Sequence, residues 1–341
     1  MKSALLYLSG IVAVATFVIL ILYWLANEKR NIKHGFNRHV IKRDIPFARS
    51  VTLDSDLYYF AGWMGDKVYL ANPDIPLAVL AIHDTVQQVI PIQNLTGVKA
   101  SRISIDSPYF YLSDLYSYTI YKGNSSSWTV DKTIHNRNFF SESLPISTTS
   151  TVLRTFNHDR TTYQLSKENI HHEKPMNAPG LLQKQIDGLF CTDGMLLFDK
   201  GKHRILYTYY YRNEFICADT NLVLLYRGKT IDTVSRANIK VEKISSMGIS
   251  TLASPPAVVN RATYAAEGKL YINSNLIADN EDSNAFKSSD VVDLYDTTTG
   301  KYLFSFYLPK SGNQRMRHFA IHGGRLFVLR GQRLDIYRMT N

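Results

Sequence analysis

Short runs of β-branched and aromatic residues, most opened by a glycine-containing turn, recur about every 40–50 residues and constrain this chain more than any other feature. KVYLA (Lys67–Ala71), YFYLS (Tyr109–Ser113), MLLFD (Met195–Asp199), KLYIN (Lys269–Asn273) and RLFVL (Arg325–Leu329) share the form. Gly65-Asp66, Asp193-Gly194, Glu267-Gly268 and Gly323-Gly324 precede four of them. Glycine there supplies the positive φ that a two-residue hairpin needs. A second strand follows at a similar offset. The clearest case is VVDLYDTTTGKYLFSFYLP (Val291–Pro309), a strand, a turn at Asp296–Gly300 and an antiparallel strand. YTIYKGN, FICADTNLVLLYRG and RLDIYRM repeat the theme. Antiparallel units at this period predict an all-β chain, a β-propeller.

Residues 49–341 divided among six blades give about 49 residues each, a usual blade length. Six blades fit best, and seven shorter ones are the alternative. The expected blades cover 52–95, 101–140, 146–182, 187–232, 258–310 and 314–341. The last is too short for four strands, so residues near Val51–Leu53 are expected to complete it and close the ring, protecting the edges a propeller must not expose. No long helical periodicity competes after Arg49. At 45% hydrophobic and 20% charged, the chain is neither disordered nor collagen-like.

The amino-terminal segment reads differently. Ala4–Ala26 holds 23 residues without a charge and ends near Tyr23-Trp24. A bilayer core of roughly 30 Å takes about 20 such residues as a helix. A cleaved signal peptide would have a shorter apolar run and a small-residue exit. The segment therefore predicts an uncleaved transmembrane anchor (4–26), with membrane lipid as its partner. A basic linker (27–48) and the propeller (49–341) follow it. The linker carries six Lys/Arg against two Asp/Glu, which taken literally would hold the domain in the cytoplasm. Long domains translocate largely regardless of that rule, so an exported domain is expected. The net charge of +10 is too thinly spread over the rest for a nucleic-acid partner.

DGMLLFDKGKHRILYTYYYRNEFICADTNLVLLYRG together with VVDLYDTTTGKYLFSFYLP resembles the membrane-anchored six-bladed β-propellers of uncharacterised function from Bacteroidetes-type bacteria. More loosely, it is similar to NHL- and YVTN-type repeats. The resemblance covers about residues 50–341 and implies a fold and, for an exported domain, a single-pass protein of a bacterial inner membrane with its propeller in the periplasm, but no activity, since propellers host enzymes and scaffolds alike. The Gly-His and Trp-Asp pairs of WD repeats do not recur.

Catalytic signatures are absent: no GxSxG, HExxH, P-loop or CxxCH occurs. No cofactor and no metal is expected. His171-His172-Glu173 lies in a polar stretch and lacks a third spaced ligand. The run Asp279–Asn284 offers hard oxygens without the alternation of a calcium loop, so an exposed acidic loop is the reading. His318 and His322 share one strand face, as core or channel-lining residues. Cys191 and Cys217 are too few for a disulfide framework; placed on different strands, they read as two buried thiols.

The arginines carry more. Arg261 and Arg317 each precede a turn glycine, Gly268 and Gly324, by seven residues, and Arg102 falls within one residue of the same place. Equivalent positions on innermost strands form a ring, here at the mouth of a central channel. Guanidinium groups gathered there suit an anionic ligand. Alternatively each pairs with a carboxylate of a neighbouring blade, Asp187 being the obvious partner. The expected function is therefore a membrane-tethered, non-enzymatic binding or scaffolding module for a protein, peptide or saccharide in the cell envelope. The alternative is a propeller enzyme, a hydrolase, lyase or quinoprotein-like oxidoreductase, with its site at the channel. A histidine with a carboxylate in a deep pocket would favour that alternative.

Overall fold

The computed structural model describes residues 2–28, 34–136, 138–169, 171, 174–244, 249–312 and 314–339, with side chains given for somewhat fewer. Six four-stranded antiparallel sheets follow one another along the chain. In the first five, strands a to d run from the inside outward. Blade 1 comprises Tyr59–Met64, Lys67–Ala71, Ala78–His83 and Val86–Pro91; blade 2, Ser101–Asp106, Tyr109–Asp114, Thr119–Asn124 and Thr129–His135. Blade 3 comprises Phe140–Pro145, Ser150–Phe156, Tyr163–Asn169 and Met176–Ala178; blade 4, Gly194–Asp199, Arg204–Tyr209, Glu214–Ala218 and Leu224–Lys229. Blade 5 comprises Asn260–Ala266, Lys269–Ser274, Ser289–Asp296 and Tyr302–Pro309. Blade 6 takes His318–His322, Arg325–Arg330 and Arg333–Arg338 from the end of the chain and Phe47–Thr52 from its beginning.

The a strands touch their neighbours in circular order, blade 6 meeting blade 1, so the ring is a closed six-bladed β-propeller. The clasp expected near Val51–Leu53 is there, with Val51 opposite Leu334 and Ser50 opposite Asp335. Val51 and Leu53 pack with Tyr58, Leu70, Phe327 and Leu334 between blades 6 and 1. The b strands lie between neighbours on both faces. Leu70, Phe110, Leu112, Leu206, Leu270 and Leu326 are all completely buried. That is why these strands read as almost unbroken apolar runs rather than alternating ones.

One expected blade is offset. MLLFD of blade 4 is an a strand, whereas the other four runs are b strands. Gly194 therefore opens the first strand, and Asp187, seven residues earlier, lies outside the sheet. Between blades 4 and 5 a hairpin, Val241–Ile244 with Ile249–Leu252, adds a pair of strands that the turn spacing does not announce. Beyond the amino-terminal helix, the described residues contain one further α-helix, Ser283–Ser288, capped by the Asp282 carboxylate.

Of the transmembrane span expected at 4–26, the structure shows the helix and not the span. Lys2–Glu28 is a helix, but among the described residues no helix is long and apolar enough to cross a membrane.

The segment after this helix is not a wholly solvated linker. From His34 onward it is seated on the propeller. Asp279 accepts the backbone N–H groups of His34 (2.7 Å) and Gly35 (3.1 Å), and Asn280 accepts that of Arg38 (3.0 Å). The Arg38 side chain is buried. Its Nε donates to Asp293 Oδ1 (2.8 Å), Nη1 to Leu276 O (2.8 Å) and to Glu281, and Nη2 to Ser274 Oγ (2.7 Å). Asp279, Asn280 and Glu281 therefore cradle the incoming chain, while the rest of the run 279–284 is the exposed acidic loop expected.

Strand direction fixes which features share a face. Strands within a blade alternate direction, so the beginnings of all a strands and all b–c loops lie at one face. The Arg38 cradle belongs to the b–c loop of blade 5 and is at that face.

Candidate site at the channel mouth

The six a strands enclose a central cavity of about 400 Å³. Its walls can come this close only where side chains are absent. A Cβ on Gly62 would sit 2.6 Å from Ile105 O of blade 2.

Arg102 and Arg261 line this cavity. Arg261 and Arg317 line a second cavity of about 610 Å³, which shares Tyr210 and Arg261 with the first. The three predicted arginines thus serve two adjoining spaces rather than one symmetric ring. Arg102 is exposed, with its guanidinium 4.6 Å from the ring centre of Tyr59. Tyr59 is fixed in turn by accepting the N–H of Ile103 at 2.7 Å, so blade 1 supports the residue that blade 2 presents. Arg261 sits at a bulge in its strand and donates through Nε to Asn275 Oδ1 at 2.6 Å. Arg317 donates through Nη2 to Tyr58 O at 2.6 Å, while its buried Nε has no hydrogen-bond partner among the described residues.

None of the three makes an ion pair among the described residues. The expected partner Asp187 instead accepts the N–H groups of Leu189, Phe190 and Cys191, capping a 3₁₀ turn. Burial holds both Arg261 and Arg317 below the ordinary arginine pKa; neighbouring Arg315 adds to the effect on Arg261. Asp290 acts against the shift at Arg261 and Asp56 against that at Arg317, but neither carboxylate forms an ion pair with them among the described residues.

Deeper in the cavity the compensation is thorough. Arg154, on strand b of blade 3, reaches across to blade 4. It donates to Asp193 Oδ1 (2.5 Å), Gly194 O (3.1 Å) and Tyr207 OH (3.2 Å), and through Nε to Ser141 Oγ (2.8 Å). Glu142 lies 3.9 Å from the same guanidinium. Burial raises the Glu142 pKa, and Arg154 and Arg102 oppose the shift. Sequence periodicity gave no sign of this cluster, because Arg154 is on a second strand rather than at the arginine-bearing inner position.

His318 also lines the central cavity, at the position after Arg317. Burial first, then the charges of Arg317 and Arg102, push its pKa down to about 3, so it is neutral at ordinary pH. The sign follows directly. Between about 3 and 6.5 the unfolded chain takes up a proton that the folded one refuses, so stability falls as pH drops below about 6.5. At pH 5 the cost is about 2 kcal/mol. His318→Gln should remove that part of the acid sensitivity, measured as the change in thermal midpoint between pH 7.5 and pH 5. An unchanged difference would show that His318 is not the group involved. His322, in phase with it on the same regular strand, stacks on Trp63 with ring centres 5.2 Å apart.

The remaining candidates do not assemble a site. His172 and Glu173 lie outside the described residues, and no group of metal-ligating side chains is found among the described ones. Cys191 and Cys217 are free and buried; one lies in the 3₁₀ turn before blade 4 and the other on its third strand.

No protein-family model matches the sequence, and no curated protein matches it either. Solved structures do match. A member of the DUF4221 family from Bacteroides vulgatus superposes with a TM-score of 0.56 at 12% identity, covering 87% of this chain and 98% of that one. A streptogramin B lyase gives 0.52 at 8% identity, covering 86% and 97%. A catalytically inactive virginiamycin B lyase from Staphylococcus aureus, with quinupristin, gives 0.50 at 12% identity, covering 87% and 100%. At these identities the likeness is one of fold, and it includes enzymes.

Proposed function

We propose that the chain is a membrane-tethered propeller that binds an anionic ligand at the mouth of its channel, without catalysis, in the envelope of a Bacteroidetes-type bacterium, with the propeller in the periplasm. The observation that carries the reading is the set Arg102, Arg261 and Arg317, which face two joined cavities without an ion-pair partner among the described residues. Tethering is supported by the helix Lys2–Glu28. Its large apolar side chains from Ile11 to Leu22 are 42–67% exposed on every side, and a helix apolar all round requires a covering.

Three substitutions test the reading, Arg102→Ala, Arg261→Ala and Arg317→Ala, with citrate as an anionic probe at low and high salt. Each should weaken binding by about tenfold, the worth of one charge-assisted hydrogen bond. Added salt should weaken the wild type as well. The thermal midpoint should move little, because no carboxylate is left stranded. A large fall in the midpoint, with no binding by the wild type, would make the arginines structural.

A second reading has one specific observation behind it. His318 and Glu142 line the same cavity, and the lyases share the fold. A neutral imidazole and a carboxyl group lining one cavity are groups that proton transfer can use. Turnover of a streptogramin by the wild type, lost in His318→Ala, would favour the enzyme over the binding module.

A further inference from the structure

The tether and the second cavity are built from the same loops. The b–c loop of blade 5 begins with Asn275 and Leu276. Asn275 lines the cavity, accepts from Arg261 and donates through Nδ2 to Val258 O at 2.7 Å. Leu276 accepts from Arg38, and Asp279, three residues on, holds His34 and Gly35. On the other side, Thr233 Oγ1 donates to His34 O at 2.5 Å. Thr233 belongs to the segment that Asn213 binds, with Asn213 N donating to Val234 O at 2.8 Å. Asn213 ends the loop whose Tyr210 and Tyr211 wall the cavity. His34 is therefore fixed at the mouth face, held by elements continuous with the walls of the second cavity. Five residues separate it from Glu28 at the end of the helix. However residues 29–33 run, that is at most about 20 Å of chain.

The lining of this cavity is of two kinds. Arg261 and Arg317 supply cationic charge, one with an unpartnered buried Nε, while Pro256, Val258 and Met316 supply apolar surface. A small hydrated anion would use only the first kind. An apolar ligand would leave the two guanidiniums unmatched. An amphiphile with an anionic head uses both, and the short tether holds the mouth close to a surface rich in such molecules.

Resting on the membrane-tethered reading above, we infer that the second cavity takes the anionic headgroup of a membrane amphiphile. Arg261 and Arg317 hold the anion, and Pro256, Val258 and Met316 meet the first part of its apolar chain.

The test is calorimetric titration of the detergent-solubilised full chain with dihexanoyl-phosphatidylglycerol, dihexanoyl-phosphatidylcholine and inorganic phosphate. The phosphatidylglycerol should bind at least tenfold more tightly than either of the others. Arg261→Gln and Arg317→Gln should each weaken it at least tenfold, and Arg317→Lys, which keeps the charge, by less. Phosphate binding as tightly as the lipid would identify a free anion as the ligand and overturn the inference, leaving the anionic reading intact. Equal binding of both lipids would overturn it by removing the role of the headgroup charge. If none of the three binds while citrate does, the inference alone falls. If citrate fails as well, the functional reading falls with it.

Discussion

Replacing Arg38 with alanine lowers the thermal midpoint of the propeller by about 10 °C, the equivalent of about 3–5 kcal/mol. The guanidinium is 3% exposed and lies between Asp293 and Glu281, themselves buried in blade 5. Burial alone would lower its pKa, but the two carboxylates outweigh burial and hold it above the ordinary value. Truncation leaves both carboxylates facing each other in a dry pocket. Tyr307 OH, which donates to Glu281 Oε1 at 2.6 Å, and Ser305 Oγ, which donates to Asp293 Oδ1 at 2.6 Å, cannot neutralise them. A chain beginning at Phe47 should show the same loss, since it retains the clasp strand but not the arginine. Scanning calorimetry of the two would settle the matter. A midpoint within about 2 °C of the wild type would mean that the carboxylates find another partner.

Removing residues 1–52 has the larger consequence: the propeller does not accumulate as a soluble monomer. This deletion takes away the fourth strand of blade 6, which pairs with Arg333–Arg338 from Thr52 to Phe47. It also takes Val51 from the core between blades 6 and 1, leaving Leu53 at a frayed end. Full burial of each such side chain is worth about 1.5–3 kcal/mol. The bare backbone edge left behind is a template for pairing with another chain. Size-exclusion chromatography of this chain against one beginning at His34 would show aggregate against monomer. Two monomers of equal thermal midpoint would mean that the clasp is dispensable.

What could be read in the sequence followed the physics of each element. The b strands are buried on both faces, so KVYLA, YFYLS, KLYIN and RLFVL stood out as apolar runs. The shortfall of residues after Asn313 demanded a strand from elsewhere, and Phe47–Thr52 supplies it. The arginine positions were legible because inner strands begin at equivalent offsets from a turn. Blade 4 broke that register: Asp193-Gly194 opens its first strand, so Asp187 was aligned with residues it does not resemble in space. Arg38 and its acidic cradle lie about 240 residues apart in sequence; nothing local to either marks the other. Arg154 was missed for the same reason, since it pairs across blades with Asp193 rather than along its own strand.

The account turns on whether three arginines are held open for a ligand while others are locked into the fold, and arginine-specific labelling measures that directly. The folded full chain would be treated with phenylglyoxal and the modified sites mapped by mass spectrometry, with and without citrate. Arg102, Arg261 and Arg317 should react and become protected when citrate is present, whereas the buried, ion-paired Arg38 and Arg330 should stay unreactive throughout. Protection absent at all three positions, or reaction at Arg38 as fast as at Arg102, would contradict it.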